Sequence, residues 1–566
     1  MKRMLTMFAL ATALSCNPPP PEAKPAPASA PADQNAEAQS FLTAQVATYA
    51  DLEKNANLAW YQASITGTDA EFQKSADADN AKNAYLADAQ VFEKLQAFRK
   101  GTQITDPSLL RQLDLLYLLM LTKQVDKETL GKITALEKKV EQAFNTFRGK
   151  VDGKELTQNQ LNDILRSSTD SKKLKAAWEA QKAVGPVIAP LMKELIALRN
   201  DVAKKLGYRD FFAMSLAQAE LDETKLLALF DNLDTLTREP FFKAKADVDV
   251  RVAKRLKVKP TELMPWHYQN PFFQEPPDVF ETGLDAVYKK QDTLAVAKRF
   301  YEGLGFEVDP IVKRSDLFEK AGKTPHAFEV NIDRKEDIRM LANIVPGLEW
   351  QGTTIHEMGH AIYDVYLGKE LPWLMTEAAH PLTTEGFAMM IDRLVENPAW
   401  TEAMGLIDAK TRDKVMPEAK AKAAFGALQF SRWTQVILRF EKEMYGNPEQ
   451  DLNKLWWDLV EKYQGLKRPE GRQAPDYASK IHVAIVPVYY QNYMMGELFG
   501  AQLHEAIAAS LGADPATTVY VGKPEVGTFL KEKLFAPGRR MHFEQLTETI
   551  TGKPLSAEAF ARRFTP

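Results

Sequence analysis

The chain has 566 residues, of which 45% are apolar and 26% are charged, a composition typical of soluble globular proteins. The 72 basic and 76 acidic residues leave a net charge of −4, so no field of one sign favours nucleic-acid binding, and we expect none. Cys16 is the only cysteine, which excludes an intramolecular disulfide and any cysteine-rich metal site.

The first 16 residues have the pattern of a secretory signal. Two basic residues precede an apolar stretch over 4–14 that is too short to cross a bilayer as a helix. The stretch leads into Ala-Leu-Ser and then Cys16, which resembles the bacterial lipoprotein signal, where the cysteine is lipidated and becomes the first mature residue. We therefore predict a lipoprotein signal peptide over 1–16. The alternative is an ordinary signal peptide with a stray cysteine.

Residues 17–40 contain seven prolines and seven alanines, and no large apolar residue. Such a segment cannot bury enough surface to offset the entropy of ordering it, so we predict a disordered tether. With Cys16 lipidated, the tether would attach the protein to a membrane of the cell envelope, as a periplasmic or cell-surface lipoprotein.

The rest of the chain, 41–566, has the pattern of a mostly α domain. Apolar residues recur at spacings of three and four, for example over 109–121, 133–147, 195–206 and 226–236. Glycine and proline mark predicted helix boundaries, among them Gly131 and Pro240. The best strand covers 327–332, so we expect only minor β structure.

The sequence HExxH occupies residues 356–360. On an α-helix the step from His356 to His360 is about 400°, so both imidazoles lie on one face, one turn apart. That arrangement suits two ligands of a tetrahedral zinc ion, and Glu357 beside them can accept a proton from water. We expect the helix to begin near residues 353–354 and to end at residue 368.

A catalytic zinc ion needs a third protein ligand and an open position. Glu385 lies 25 residues beyond His360, before a predicted helix over 387–394 that Thr383 would cap. Glu377 and His380 are alternative ligands in a predicted loop. Glu385 is the favoured one because it would lie in the first turn of its helix and point toward the HExxH helix.

Several further motifs complete a recognisable pattern. They are HEMGH at 356–360, Leu-Pro at 371–372, the series Glu377, Pro381 and Glu385, WWDLVEKYQGL at 456–466, KIH at 480–482, Tyr490 with Tyr493, and HEAI at 504–507. Over most of 190–566 the chain resembles the angiotensin-converting-enzyme family of zinc peptidyl-dipeptidases. The resemblance implies a large helical ellipsoid with a deep central channel, in which lid helices over 41–190 cover a catalytic core over 191–566 that contains the zinc helix.

The resemblance also implies the catalytic roles. One zinc ion per chain would be held by His356, His360 and Glu385. Glu357 would be the general base, and Tyr493 would stabilise the oxyanion of the tetrahedral intermediate.

Further residues match the family's substrate-binding groups. His482 and His326 would bind the substrate carbonyl beyond the cleaved bond, and Ala327 would offer backbone hydrogen bonds. Lys480 and Tyr490 would bind the C-terminal carboxylate. The implied function is the release of dipeptides from peptides with a free C-terminus, by a protein that we expect to be a monomer.

Two intervals differ in length from the family pattern. The interval from His360 to Glu385 is one residue longer and closer to that of thimet-oligopeptidase relatives, and the interval from His482 to Tyr493 is one residue shorter. A zinc endopeptidase or oligopeptidase of the thimet type is therefore the alternative function. A non-catalytic peptide-binding lipoprotein is a further alternative, although the intact base Glu357 argues against it.

Individual residues also depart from the family. Met389 stands where an aspartate would orient a ligand histidine. A glutamine that helps to bind the carboxylate corresponds to Tyr268 by direct register and to Gln269 after a slip. Val460 and Asn492 stand where arginines bind an activating chloride ion, so we do not expect chloride dependence.

Overall fold

The computed structural model describes residues 34–101, 103–324 and 326–565. The predicted signal peptide with Cys16, and residues 17–33 of the predicted tether, lie outside the described residues. The first helix begins at Gln34, so residues 34–40, which the sequence assigns to the tether, are helical. Alanine has the highest helix propensity, and Ala38 is buried in a cluster with Phe41, which explains the difference.

Helices and one short antiparallel hairpin form the first part of the described chain. They are α1 (Gln34–Thr66), α2 (Asp69–Leu86), α3 (Ala89–Lys100), α4 (Pro107–Leu121), α5 (Lys127–Thr146), β1 (Gly149–Val151), β2 (Lys154–Leu156), α6 (Gln158–Ser167) and α7 (Ser171–Lys182).

The following elements carry all the predicted site residues in the described chain, either directly or in their connecting loops. They are α8 (Gly185–Lys205), α9 (Phe211–Gln218), α10 (Glu223–Leu256), α11 (Leu284–Tyr288), α12 (Thr293–Gly303), α13 (Asp309–Arg314), β3 (Phe328–Asn331), β4 (Ile338–Leu341), α14 (Leu348–Val365), α15 (Pro381–Asp392), α16 (Pro398–Ala403), α17 (Ala409–Gly446), α18 (Leu452–Gln464), α19 (Ile481–Ile485), α20 (Tyr490–Ser510), α21 (Pro524–Leu530), α22 (Phe543–Thr551) and α23 (Glu558–Phe564).

The prediction of a mostly α fold with minor β structure is confirmed. The sheets of the described chain are two antiparallel pairs, β1 with β2 and β3 with β4. In the second pair Phe328 is opposite Leu341 and Asn331 is opposite Ile338, so β3 lies within the predicted strand. No described helix combines the length and the apolarity needed to cross a bilayer.

Two predicted helix boundaries are wrong, because α5 continues through Gly131 and α10 continues through Pro240. A proline inside a helix costs about 3 kcal/mol. Leu233 and Phe241, on either side of Pro240, are fully buried in the core. Burial of each contributes about 1.5–3 kcal/mol, which is enough to outweigh the local cost.

The apolar side chains form a main core and a separate N-terminal cluster. The main core extends from Leu136 in α5 to Phe564 in α23, whereas the second cluster joins α1, α3 and α4 to residues 371–375. Helices α5–α7, which belong to the predicted lid, therefore pack with the helices that follow them. The role of the N-terminal helices as a lid stays a prediction.

Buried ion pairs connect α1 to the segment that precedes α15. The Arg334 guanidinium, in the turn between β3 and β4, donates to both carboxylate oxygens of Glu53 at 2.8 Å and pairs with Glu377 at 2.9 Å. Arg539 donates to the other oxygen of Glu377 at 2.9 Å. This network fixes the loop from which α15 begins.

Candidate metal centre and Lys480 site

The HExxH residues lie on α14, whose ends differ from the prediction. The helix runs Leu348–Val365, so the expected start at 353–354 and the expected end at 368 are wrong. Its start is stabilised by Asp285, whose Oδ1 accepts a hydrogen bond from the Leu348 N–H at 3.1 Å. Asp285 lies 63 residues earlier in the chain, so no local signal marks this start.

α15 begins at Pro381, and its cap is His380 rather than Thr383. The Nδ1 atom of His380 accepts the N–H of residue 382 at 3.1 Å, and its Nε2 lies 2.9 Å from the carbonyl oxygen of residue 219. Glu377 is held by Arg334 and Arg539. Both alternative ligands are therefore occupied in structural contacts and lie outside the metal cluster.

His356, His360 and Glu385 come together on adjacent faces of α14 and α15. The Nε2 atoms of the two histidines are 3.1 Å apart, and Glu385 Oε2 lies 3.6 Å from His356 Nε2 and 3.8 Å from His360 Nε2. They are the one group of histidine, cysteine and acidic side chains in the described chain that is arranged to hold a metal ion. We call these three residues the metal centre.

The donor set and its spacing fit zinc. Four ligand atoms placed tetrahedrally at about 2.0–2.1 Å from zinc lie roughly 3.4 Å from one another. The observed separations of 3.1, 3.6 and 3.8 Å bracket that value. Two imidazoles and one carboxylate are a zinc ligand set that leaves a fourth position for water or substrate.

Both histidines have a partner that fixes the ring. His356 Nδ1 lies 2.7 Å from Asp392 Oδ2, and His360 Nδ1 lies 2.6 Å from Thr384 Oγ1. Each Nδ1–H can donate to its oxygen partner, which leaves Nε2 as the atom that binds metal. Asp392 and Glu385 are seven residues apart on α15, so they lie on the same face of the helix.

Glycines allow α15 and α20 to pack closely. A Cβ atom on Gly386 would lie 2.6 Å from the carbonyl oxygen of Gly496, and a Cβ on Gly496 would lie 2.8 Å from the side chain of Met389. This close crossing brings Glu385, the neighbour of Gly386, near Tyr493, which lies one turn before Gly496. The charges of Glu385 and Glu357 contribute to a raised Tyr493 pKa, after burial.

Glu357 faces a large cavity. Burial raises its pKa to about 7, and the carboxylates of Glu385 and Asp392 act in the same direction, against the opposing charge of His356. His356, Glu357 and Asp392 line a cavity of about 1820 Å³. A volume above the usual 300–1,000 Å³ of small-molecule sites suits a peptide.

A buried lysine lies against Gln274, which also lines this cavity. Lys480 Nζ donates to Gln274 Oε1 at 2.9 Å, and the Tyr490 hydroxyl donates to the same oxygen at 3.4 Å. We call Lys480, Gln274 and Tyr490 the Lys480 site. The ammonium also lies 5.4 Å from the ring centre of Phe272 and 5.7 Å from that of Trp433.

Burial lowers the pKa of Lys480 to about 8, although the charge of Glu275 opposes the shift. No carboxylate of residues 34–101, 103–324 or 326–565 lies within ion-pair distance of it. A buried ammonium without an acidic partner, among hydrogen-bonding groups, is suited to an anionic ligand.

A sequence model of the peptidase M2 family, described as angiotensin-converting enzyme, matches residues 32–243 and 266–566. The chain belongs to the angiotensin-converting-enzyme family. Over the residues that align, relatives in this family are about a quarter identical to the chain. Angiotensin-converting enzyme of Mus musculus is 25% identical over 447 residues, which cover 72% of this chain and 33% of the relative.

Two further relatives show how coverage varies. Angiotensin-converting enzyme of Bos taurus is 24% identical over 501 residues, covering 82% of this chain and 38% of the relative. That of Theromyzon tessulatum is 23% identical over 444 residues, covering 72% of this chain and 70% of the relative. The chain thus spans about a third of the length of the two mammalian relatives.

The structure resolves two departures from the angiotensin-converting-enzyme pattern. The aspartate absent at Met389 is replaced by Asp392, and the glutamine is Gln274. The expectation of a glutamine at Tyr268 or Gln269 is wrong. Tyr268 donates to Asp249 at 2.7 Å, and Gln269 donates to the carbonyl oxygen of residue 166 at 2.8 Å, so both are used elsewhere.

Among the remaining predicted substrate residues, His482 lies beside the Lys480 site. The His482 ring centre lies 5.1 Å from that of Tyr490, and the Tyr490 and Tyr493 rings are 5.4 Å apart. His482 Nδ1 is buried with no hydrogen-bond partner in the described chain, and burial lowers the pKa of this histidine to about 4. His326 is exposed, and Ala327 directly precedes β3.

The positions of the family's chloride arginines are buried and uncharged, since Val460 and Asn492 are each 3% exposed. Sequence reasoning missed a nearby cation, Lys182, at the end of α7. Its ammonium lies 3.2 Å from the ring centre of Phe272, and burial holds its pKa well below the usual value for lysine. Lys182 donates no hydrogen bond to another described residue. Only its place after a buried tryptophan, Trp178, could have drawn attention to it.

Proposed function

We propose that this chain is a zinc metallopeptidase that releases dipeptides from the C-terminus of peptides. The observation that supports it is the shared cavity: Gln274, which accepts from the buried Lys480 ammonium, lines the same cavity as His356 and Glu357. A peptide whose terminal carboxylate bound at Lys480 would extend toward the metal centre. The fixed separation would then select the bond two residues from the end.

His356, His360 and Glu385 would hold zinc, which when bound polarises a carbonyl and lowers the pKa of water. The chain's own residues supply the proton transfers. Glu357, with its pKa near neutrality, accepts a proton from the attacking water and later returns it to the leaving amine. Glu357 lines the cavity and is influenced by the carboxylates of Glu385 and Asp392, so it can both accept the proton and return it.

Tyr493 is assigned to the carbonyl oxygen of the cleaved bond. Its hydroxyl stays protonated because burial and neighbouring carboxylates raise its pKa, so it can donate a hydrogen bond to the developing oxyanion. His482 is neutral and donates or accepts through a ring nitrogen at the next peptide group. His326 and the backbone at Ala327 would bind the extended substrate beside β3.

Product analysis tests this function. A peptide of about ten residues is incubated with the zinc-loaded protein, beside its C-terminally amidated twin, and the products are identified by mass spectrometry. We expect successive loss of dipeptides from the free peptide and little cleavage of the amide. Internal cleavage of both peptides at equal rates would instead indicate an endopeptidase of the thimet-oligopeptidase type, and no cleavage would indicate a peptide-binding protein.

The cell-envelope location is a second part of the proposal, carried by the sequence around Cys16 and the proline-rich segment after it. We propose that the mature protein is a monomer with a lipid on Cys16. Membrane fractionation of the wild type and of Cys16→Ser, with mass spectrometry of the N-terminus, tests the anchor. An unmodified N-terminus in both proteins would exclude it.

A further inference from the structure

The connection between α19 and α20 contains a strained residue. Val488 has φ +58°, a left-handed conformation that is unfavourable for a β-branched side chain. It lies between His482 on α19 and the two tyrosines at the start of α20, Tyr490 and Tyr493. Strain of this kind persists only where surrounding groups impose it, and it is concentrated at functional sites.

Two buried side chains hold the backbone of this residue. Glu441, on α17, accepts the Val488 N–H through Oε1 at 3.1 Å, and Gln491 Nε2 donates to the Val488 carbonyl oxygen at 2.7 Å. Glu441 is 1% exposed and Gln491 is fully buried. Both polar groups of the strained peptide are therefore satisfied by side chains and not by regular backbone pairing.

The other end of the connection is held as well. Arg199, on α8, donates to the carbonyl oxygen of Ala484 at 3.0 Å and to the Tyr445 hydroxyl at 3.2 Å. The segment that carries His482 is thus attached to α8, and the segment that leads into Tyr490 is attached to α17. These attachments hold both ends of the connection that leads into Tyr490 and Tyr493.

We propose that Glu441 is a positioning residue: by holding the left-handed turn at Val488, it fixes the first turn of α20 and so places Tyr490 and Tyr493 against the substrate. This inference rests on the proposed function, because it assumes that those tyrosines act on a peptide. Glu441 itself touches neither the metal centre nor the Lys480 site by hydrogen bond.

The role does not depend on the charge of Glu441. Burial raises its pKa to about 8, while the bond from Val488 and the charge of Arg199 oppose the shift. A neutral carboxyl group still accepts the Val488 N–H through its carbonyl oxygen. Its second oxygen, Oε2, has no hydrogen-bond partner among the described residues, so a carboxamide can replace the group.

Three single variants give the first test of the inference. Glu441→Leu removes the acceptor, Glu441→Gln keeps one, and Glu443→Leu is a control on the exposed face of the same helix. We expect kcat/KM for the free peptide to fall about tenfold in Glu441→Leu and to change less than threefold in the other two. Zinc content and Tm are measured in parallel, so that a loss of folded protein is separated from a loss of positioning.

The double variant supplies a result that a purely structural role would not give. Glycine adopts a left-handed conformation without strain. Val488→Gly in the Glu441→Leu background should therefore restore kcat/KM to within about threefold of Val488→Gly alone. Wild-type kinetics in a folded Glu441→Leu, or no recovery in the double variant, would overturn the inference.

Two controls keep the outcome clear. Absence of dipeptide release by the wild type would contradict the proposed function. Normal release by the wild type together with unchanged kinetics in Glu441→Leu would contradict only the positioning role. If Glu441→Leu does not fold, Gln491→Met removes the other attachment of Val488. It should lower kcat/KM about tenfold in the same way, and unchanged kinetics in that folded variant would overturn the inference.

Discussion

At the metal centre, every predicted ligand lies on one of two adjacent helices, α14 and α15, whereas the Lys480 site joins two consecutive segments to a loop about 200 residues earlier in the chain. His356 and His360 are placed by the period of a single helix, and Asp392 supports His356 from the same face of α15 that carries Glu385. Lys480 precedes α19, Tyr490 opens α20, and Gln274 lies in a loop before α11. The first site is set by local geometry and the second by tertiary packing.

This difference determines how each site should respond to substitution. Zinc would be held by all three residues of the metal centre, so the loss of one should reduce activity on every substrate. In the proposed function a member of the Lys480 site would bind one end of the substrate, so its loss should affect only peptides with a free carboxylate. The two sites can therefore be separated by comparing free and amidated peptides.

The largest expected effect follows from removal of the proposed general base. Glu357→Gln should retain zinc, because Glu357 is not a ligand, and should lose roughly 10²-fold or more in kcat, the usual contribution of a general base. Chelation by phenanthroline should abolish activity, and added zinc should restore it. The measurements are kcat and bound zinc. Near wild-type turnover in a zinc-loaded Glu357→Gln would exclude this role.

The Lys480 site should give a loss that depends on the substrate. Lys480→Met removes a charged hydrogen bond worth about 1.5–3 kcal/mol, so kcat/KM for the free peptide should fall about 10- to 100-fold. Gln274 is itself uncharged, so Gln274→Leu should cost less than Lys480→Met. Residual cleavage of the amidated twin is the control and should change little. An equal loss on both peptides would mean that Lys480 does not recognise the carboxylate.

A smaller effect on zinc affinity should distinguish the two histidine partners. Asp392→Asn weakens a charged bond to His356, and the loss of such a partner typically costs 10- to 100-fold in metal affinity. Thr384→Val removes a neutral partner of His360 and should cost less. Zinc competition titrations of both variants measure the difference. A larger loss of zinc affinity in Thr384→Val than in Asp392→Asn would contradict this prediction.

The sequence was sufficient for the parts of the site that depend on helix period. The HExxH spacing and Glu385 predicted the metal centre, and the spacing of seven between Glu385 and Asp392 could have predicted the histidine's partner. Gln274 could not be predicted as the partner of Lys480. It lies in an irregular loop without periodicity, five residues after Gln269, and no local pattern distinguishes the two glutamines. The left-handed turn at Val488 could not be predicted from the sequence either, because valine does not favour that conformation.

Activity on free peptides should fall at alkaline pH because of Lys480. Burial lowers its pKa to about 8, so the ammonium is charged below that pH and loses its charge above it. The peptide carboxylate stays ionised throughout this range. We therefore expect kcat/KM for the free peptide to decline as the pH rises through about 8. The Lys480→Met variant should not show this decline, because it lacks the ammonium that titrates. A pH profile identical in wild type and variant would contradict the assignment.

The smallest expected effect is that of chloride. Val460 and Asn492, at the family's arginine positions, are buried and uncharged, and a buried anion without a cationic partner costs several kcal/mol. Lys182 is a buried residue that could provide a positive charge to bind an anion. Burial and the charges of Arg472 and Lys480 lower its pKa far below normal, against the charge of Asp476. Burial thus favours the neutral form of this amine, and the neutral form needs no counterion over the Phe272 ring.

We therefore expect kcat/KM to stay nearly constant when chloride replaces acetate at fixed ionic strength. Ionic strength must be fixed because Lys480 acts on a charged terminus, and screening alone would alter KM. Saturable activation of several fold would contradict this expectation. Lys182→Met then locates the ion: activation that disappears in this variant would show that Lys182 is charged and binds the anion, and activation that persists would place the anion at another cation.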